Sequence, residues 1–158
     1  MIQYHDGWAF LDTGDSLLDY VMEIMTDAFD PFYGEAWNRH QCNSIMGLPG
    51  VYTLVVTIEG KPAGFLLSRT VFDECELLLL AVKPEFRREG VATALFKKLI
   101  AKAKIEDTKY LHLEVREKNP ALNLYYQIGF REVGRRINYY KSLNGDLYNA
   151  ITLRFIVI

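Results

Sequence analysis

Cysteine and histidine are scarce: the chain holds two of the first, Cys42 and Cys75, and three of the second, His5, His40 and His112. The cysteines make neither a metal-like pair nor a disulfide framework. The histidines form no cluster, so no metal site is expected. A reduced, cytoplasmic setting is the simplest expectation. No apolar run approaches the roughly 20 residues of a membrane-spanning helix. The opening MIQYHDGWAFLDTGD lacks the basic-then-apolar layout of a secretory signal. Excess positive charge is missing too. The net charge is −2 and the isoelectric point about 5.9, which argues against a general nucleic-acid binder. There is no internal repeat, low-complexity tract or linker, no G-x-x-x-x-G-K-[ST] loop and no G-x-G-x-x-G fingerprint.

Apolar residues are plentiful. They make up 50% of 158 residues, enough for a sizeable core in one domain spanning 1–158. Leu17, Val21, Ile24, Met25 and Ala28 recur at helical spacing, which predicts a helix over 16–29 capped by Asp15 or Ser16. Asp30-Pro31-Phe32-Tyr33-Gly34 breaks it, and a second short helix is expected over 35–46. Val51–Ile58 and Ala63–Val71 read as a hairpin joined by Glu59-Gly60-Lys61-Pro62. Further strands are expected at 76–82, 110–115, 131–138 and 148–156, with helices from 92 and over 121–128. This order gives an α/β (or α+β) sandwich of sheet and helices with one β-α-β crossover.

The crossover carries the sharpest signal. The apolar run Leu77–Val82 stops at Lys83-Pro84. The basic turn Arg87-Arg88-Glu89-Gly90-Val91-Ala92 follows, and then an amphipathic helix begins on Ala92, Leu95, Phe96, Leu99, Ile100 and Ala103. The run lacks alternation, as a strand covered on both faces does. A helix start leaves several N–H groups without partners and carries partial positive charge, so it suits an anion such as pyrophosphate. An ordinary strand-turn-helix with a solvated basic turn fits the same residues.

Arg87-Arg88-Glu89-Gly90-Val91-Ala92 resembles the [RQ]-x-x-G-x-[GA] motif of the Gcn5-related N-acetyltransferases. Downstream, Leu111-His112-Leu113-Glu114-Val115-Arg116, Asn119, Leu124-Tyr125 with Gly129-Phe130, and Arg135-Arg136-Ile137-Asn138-Tyr139-Tyr140 appear in order. This series is similar to the branch of that family that acetylates the N-terminal alanine of a ribosomal protein. The resemblance runs from about Tyr20 to about Leu153. It implies a mixed, mostly antiparallel sheet flanked by helices, with acetyl-CoA as cosubstrate at the crossover. Arg87, Arg88, Glu89, Gly90, Val91, Ala92 and Thr93 would form the pyrophosphate turn. Leu80, Ala81 and Val82 would hold the pantetheine arm through their backbone.

Glu114 shares one strand face with His112 and Arg116, opposite Leu111, Leu113 and Val115. A solvated face explains it, but the resemblance implies the general base, with Arg116 lowering its pKa. Tyr125 lies on the apolar face of its helix with Ala121, Leu124 and Ile128. Packing explains it, whereas the resemblance implies the acid that protonates the CoA sulfur, with Tyr126 as fallback. Asn119 before Pro120 is a strong helix start, and the resemblance adds a CoA contact. The family spacing N-x-x-A-x-x-L-Y is one residue shorter here, which sets the Asn119 contact against the helix start. Loops around 30–37 and 139–146, rich in aromatics, would form the acceptor site, with Glu35 attracting an ammonium. Mutual packing of those aromatics is the equal alternative.

The expected activity is direct acetyl transfer from acetyl-CoA to a protein N-terminus, that of a small-subunit ribosomal protein, without nucleic-acid or membrane contact. The alternatives are transfer to small amines or lysine side chains, and a non-catalytic CoA-binding module.

Overall fold

The computed structural model describes residues 6–158; His5 lies outside them. Seven strands and four α-helices run in the order β1 (Trp8–Leu11), α1 (Leu17–Ala28), α2 (Arg39–Met46), β2 (Val51–Ile58), β3 (Lys61–Val71), β4 (Glu74–Val82), α3 (Val91–Ile105), β5 (Tyr110–Arg116), α4 (Leu122–Ile128), β6 (Arg131–Lys141) and β7 (Leu147–Ile156). They form one open sheet with the order β1-β2-β3-β4-β5-β7-β6. β4 and β5 are parallel and every other neighbouring pair is antiparallel. The expected mixed sheet with a single β-α-β crossover is therefore the observed one. No helix among the described residues is long and apolar enough to cross a membrane.

Two apolar clusters line the two faces. α3 and α4 cover one with Leu95, Phe96, Leu99 and Tyr125 against Leu66, Leu113, Phe130 and Leu153. α1 and α2 cover the other with Val21, Ile24, Met25 and Cys42 against Val55, Phe65, Leu67 and Leu79. At Gly64 a Cβ would lie 2.8 Å from a Val91 methyl and 3.0 Å from the Ala81 carbonyl oxygen. The missing side chain lets the first turn of α3 sit down on the sheet.

Several boundaries differ from the sequence reading. β1 was not anticipated. It is four residues long and pairs Trp8 with Ile58, too short to register as an alternating run. α2 starts at Arg39, not Glu35, because Asn38 and Gln41 form a reciprocal capping box there. Ser16 makes no side-chain cap hydrogen bond at α1. β6 continues beyond Asn138 to Lys141 through a bulge between Arg136 and Tyr140, so Tyr139 and Tyr140 stand on a strand and not in a loop.

Candidate active site

β4 is the element that makes the site. Its run of leucines reads as uniformly buried because both faces are apolar, but the side chains alternate across a flaw. Leu77 pairs with Ser68 and Leu79 with Leu67, which leaves Leu78 without a partner on β3. This bulge switches sides: Leu77 packs in the α3 cluster, while Leu79 and Ala81 pack in the α1 cluster. A bulge also bends and twists its strand. The β4–β5 ladder ends at Leu77↔Leu113, yet β4 runs on to Val82 and β5 to Arg116. The two strands part beyond that rung. The β4 edge from Leu78 to Val82 is left open toward β5, since its other edge is engaged by β3 through Gly64↔Val82, Phe65↔Ala81 and Leu66↔Leu80. An open strand edge offers alternating N–H and C=O groups to an extended, amide-bearing ligand.

The open edge leads into the turn before α3. Arg88 and Gly90 both have positive φ, 65° and 84°, and Gly90 is the α3 N-cap with no side-chain cap hydrogen bond. The first helical bond runs from Ala94 N–H to the Gly90 carbonyl. No backbone hydrogen bond donated by the N–H groups from Arg88 to Thr93 occurs among the described residues. Those of Gly90, Val91, Ala92 and Thr93 are the unpaired donors of a helix start, which suits an anion. Arg88 and Glu89 are exposed, Val91 is buried against the sheet, and Ala92 and Thr93 are half-buried. The Arg87 side chain does not face the cradle. It donates from Nε to the Val82 carbonyl (3.3 Å) and from a terminal nitrogen to the Ala28 carbonyl (3.1 Å).

Glu114 is the first β5 residue past the point of parting. Its carboxylate pairs with Arg136 Nε at 3.0 Å and keeps 23% of its side-chain surface exposed. The expected Arg116 partner is a correction. Arg116 is buried and turns instead to Glu35 Oε1 (3.5 Å), the Glu117 carbonyl (3.2 Å) and the Tyr33 ring, whose centre is 3.6 Å from its guanidinium carbon. The alternation that put Arg116 on the Glu114 face was right, but the α1–α2 loop folds over and claims the cation. Burial raises the Glu35 carboxyl above the usual carboxylate range, and Arg116 partly offsets it.

Tyr125 enters from α4. Its ring is buried edge-on against Phe96 and Phe130. Burial pushes its phenol well above the ordinary value, and the Glu35 and Tyr140 charges add to this. Its hydroxyl has no protein partner among the described residues, yet it is not one of the sealed, unpaired polar atoms. Tyr126, the fallback, is exposed. Asn119 Oδ1 accepts from Ala121 N–H (2.9 Å), and its carbonyl accepts from Leu122 N–H (3.1 Å). The expected N-cap at Asn119 is a correction: the α4 N-cap is Ala121, and Asn119 closes the turn that precedes it.

Tyr140 is one of the aromatics expected in the 139–146 acceptor loop. It stands just beyond the β6 bulge with its phenol pushed up to about 12, by burial first and then by Glu114 and Glu35. The two aromatic segments named as acceptor loops do pack together: Leu143 N–H donates to the Phe32 carbonyl (2.9 Å), and the Tyr33 and Tyr148 rings meet edge-on. The mutual-packing reading of these segments is the observed one. No cluster of potential metal ligands occurs among the described residues.

A strand edge running into an anion cradle suits a ligand with amides at one end and a pyrophosphate at the other, the makeup of coenzyme A. A carboxylate just past the parting of the strands and a buried phenol on α4 within electrostatic reach of Glu35 and Tyr140 would add proton transfer, the makeup of a CoA-dependent acyltransferase. The family model described as "Acetyltransferase (GNAT) family" matches residues 18–130, and the chain belongs to that family; it is an acetyl-CoA-dependent N-acetyltransferase. It is 38% identical over 136 residues to the [ribosomal protein bS18]-alanine N-acetyltransferase of Escherichia coli K12, covering 85% of this chain and 87% of that one. It is 41% identical over 90 residues to the Haemophilus influenzae protein of the same name, where the match takes in 57% of this chain and 62% of the relative. The crystal structure of the E. coli ribosomal-protein-S18-alanine N-acetyltransferase superposes with a TM-score of 0.85 at 29% identity, covering 95% of this chain and 94% of that one.

Proposed function

We propose that this enzyme acetylates the N-terminal alanine of a small-subunit ribosomal protein in the cytoplasm, the acceptor named for its bacterial relatives. The observation that supports the reading is the parting of β4 and β5, which leaves the β4 edge free beside the turn before α3, with Glu114 the first β5 residue beyond the last rung.

The backbone of Leu80, Ala81 and Val82 would hold the pantetheine arm as an added strand. The N–H groups of Arg88, Glu89, Gly90, Val91, Ala92 and Thr93 would bind the pyrophosphate, with the Arg88 cation adding charge. Asn119 Nδ2, its amide oxygen being engaged in the turn, would supply a further CoA contact. Glu114 takes a proton from the acceptor ammonium, directly or through water. The amine nitrogen then bonds to the acetyl carbonyl carbon, the carbon–sulfur bond breaks, and the surplus proton on the nitrogen leaves through water to restore the phenol that Tyr125 gives up. Tyr125 gives its proton to the departing sulfur. A phenol with a raised pKa stays protonated until thiolate charge develops beside it, which is what this role needs. Donors already in place along β4 would stabilise the carbonyl oxygen. Glu35, a half-buried carboxylate held by Arg116, would draw the ammonium into the acceptor side.

The test is the intact mass of an alanine-starting ribosomal-protein peptide after incubation with enzyme and acetyl-CoA. An N-terminally blocked peptide with an internal lysine runs beside it. One acetyl on the free N-terminus alone is the expected result. Acetylation of the blocked peptide would move the acceptor to lysine side chains, and no gain on either would refute the N-terminal reading.

A further inference from the structure

Arg87 opens the cradle motif, yet its side chain leaves the cradle. One guanidinium spans the last carbonyl of α1, Ala28 (3.1 Å), and the last carbonyl of β4, Val82 (3.3 Å). α1 has no basic residue in its own last turn, so its negative end receives its cations from this segment. Lys83, buried and one residue past β4, adds a second tie: Nζ lies 2.6 Å from Glu23 and 3.4 Å from Asp27 on the last two turns of α1. Phe29 follows Ala28 directly, and the chain from there carries Tyr33 and Glu35, the acceptor side of the gap. The root of the acceptor loop and the cofactor turn are thus fastened to each other at one point.

We propose that Arg87 is a positioning residue that couples the two substrate sites: filling the cofactor turn fixes the C-terminal end of α1 and, through it, the acceptor loop around Tyr33 and Glu35. This rests on the reading of the 87–93 turn as the acetyl-CoA site and goes beyond it. In the simpler alternative Arg87 only binds phosphate, and its loss weakens CoA binding alone. Coupling of this kind is reciprocal and amounts to roughly 5–150-fold between two sites.

The test follows backbone hydrogen exchange with and without CoA, which needs no acceptor. In the wild type, CoA is expected to slow exchange in residues 88–93 and about fivefold or more in residues 29–35. In Arg87→Ala, protection of 88–93 remains and protection of 29–35 is lost. Arg87→Lys, with a cation at the helix end but no planar fork to span two carbonyls, gives an intermediate result and replaces the alanine variant should that one not fold. With peptide present, the same variants raise the acceptor KM about tenfold while the binary CoA Kd stays within about threefold. Protection of 29–35 that survives in both variants, or that is absent from the wild type, overturns the coupling. Absence of protection at 88–93 in the wild type overturns the cofactor-site reading with it.

Discussion

Arg116→Met isolates the post that joins β5 to the α1–α2 loop. Methionine keeps much of the apolar stem, so what is lost is the guanidinium. That group is buried, sits 3.6 Å over the Tyr33 ring and 5.5 Å from the Tyr148 ring, and donates to the Glu117 carbonyl at 3.2 Å. A desolvated cation–π contact contributes about 2 kcal/mol, and a charged hydrogen bond about 1.5 kcal/mol. The Glu35 contact, at 3.5 Å, is long. Glu35 can also shed its charge once unpaired, because its carboxyl is already raised. The net loss is set at about 3 kcal/mol, the low end for breaking a buried ion pair from one side. Unfolding entropy of about 2.1 cal/mol/K per residue over the 158-residue chain turns this into a fall in Tm of about 9 °C. Glu35→Gln removes only the long contact and leaves Arg116 on Tyr33 and the Glu117 carbonyl, so about 1 kcal/mol and a fall of about 3 °C are expected. Calorimetry of both variants decides it. A change under about 2 °C for Arg116→Met, or equal losses in the two, would refute the assignment of Arg116 as the anchor of the acceptor loop.

Glu114→Gln and Tyr125→Phe are each expected to lower kcat by about 10²–10⁴-fold with acetyl-CoA binding little changed. Tyr126→Phe, altering an outward side chain, should leave kcat within about twofold; steady-state kinetics of the three distinguish the tyrosines. Gly90→Ala places a Cβ where nothing lies within 4 Å but at a φ of +84°. The cost is therefore backbone strain of about 1–2 kcal/mol, expected as a roughly 5–30-fold weaker CoA affinity by calorimetric titration, since the loop relieves the strain by misaligning its N–H groups. For Glu35 the pH dependence has a definite sign. Its folded pKa is raised above 4.5, so the native state holds the proton more tightly than the unfolded chain. Stability then falls as pH rises from 4.5 through the raised value. The Tm of wild type minus that of Glu35→Gln should decrease across that window, and an increase would contradict the raised carboxyl.

Legibility in the sequence tracked locality. The Arg-Arg-Glu-Gly-Val-Ala turn, the amphipathic face of α3 and the hairpin β2–β3 are set by neighbours a few residues apart, and each stands where periodicity put it. Strand alternation and helical spacing fix the faces of Glu114 and Tyr125, but their candidacy as base and acid comes from the family resemblance. What could not be read depends on partners distant in the chain. Leu78 is the bulged residue only because β3 offers Leu67 and Ser68 in consecutive register, and four leucines in a row carry no mark of which one is skipped. Arg116 lies on the same strand face as Glu114, yet its partner Glu35 is 81 residues away, brought in by the α1–α2 loop. Tyr140 was assigned to a loop for a related reason: the β6 bulge around Ile137–Tyr139 breaks the period-2 pattern just before it, so the pattern ends at Asn138 while the strand runs on.

The shortened Asn119-to-Tyr125 spacing shows which end of a short helix carries the chemistry. One residue fewer would swing Tyr125 by about 100° if the helix were registered from its N-terminus. It is instead registered from its C-terminus. Both Gly129 and Phe130 donate their N–H groups to the Tyr125 carbonyl, at 3.2 and 3.0 Å, and Phe130 and Phe96 hold its ring edge-on. The missing residue is absorbed at the start, where Asn119 caps a turn and regular helix begins only at Leu122. Asn119→Ala is therefore expected to cost about 1 kcal/mol of stability through the lost cap while Tyr125 keeps its place, so kcat at saturating acetyl-CoA should stay within about threefold of wild type. A kcat loss approaching that of Tyr125→Phe would mean that the phenol is aimed from Asn119 after all, and the registration argument would be wrong.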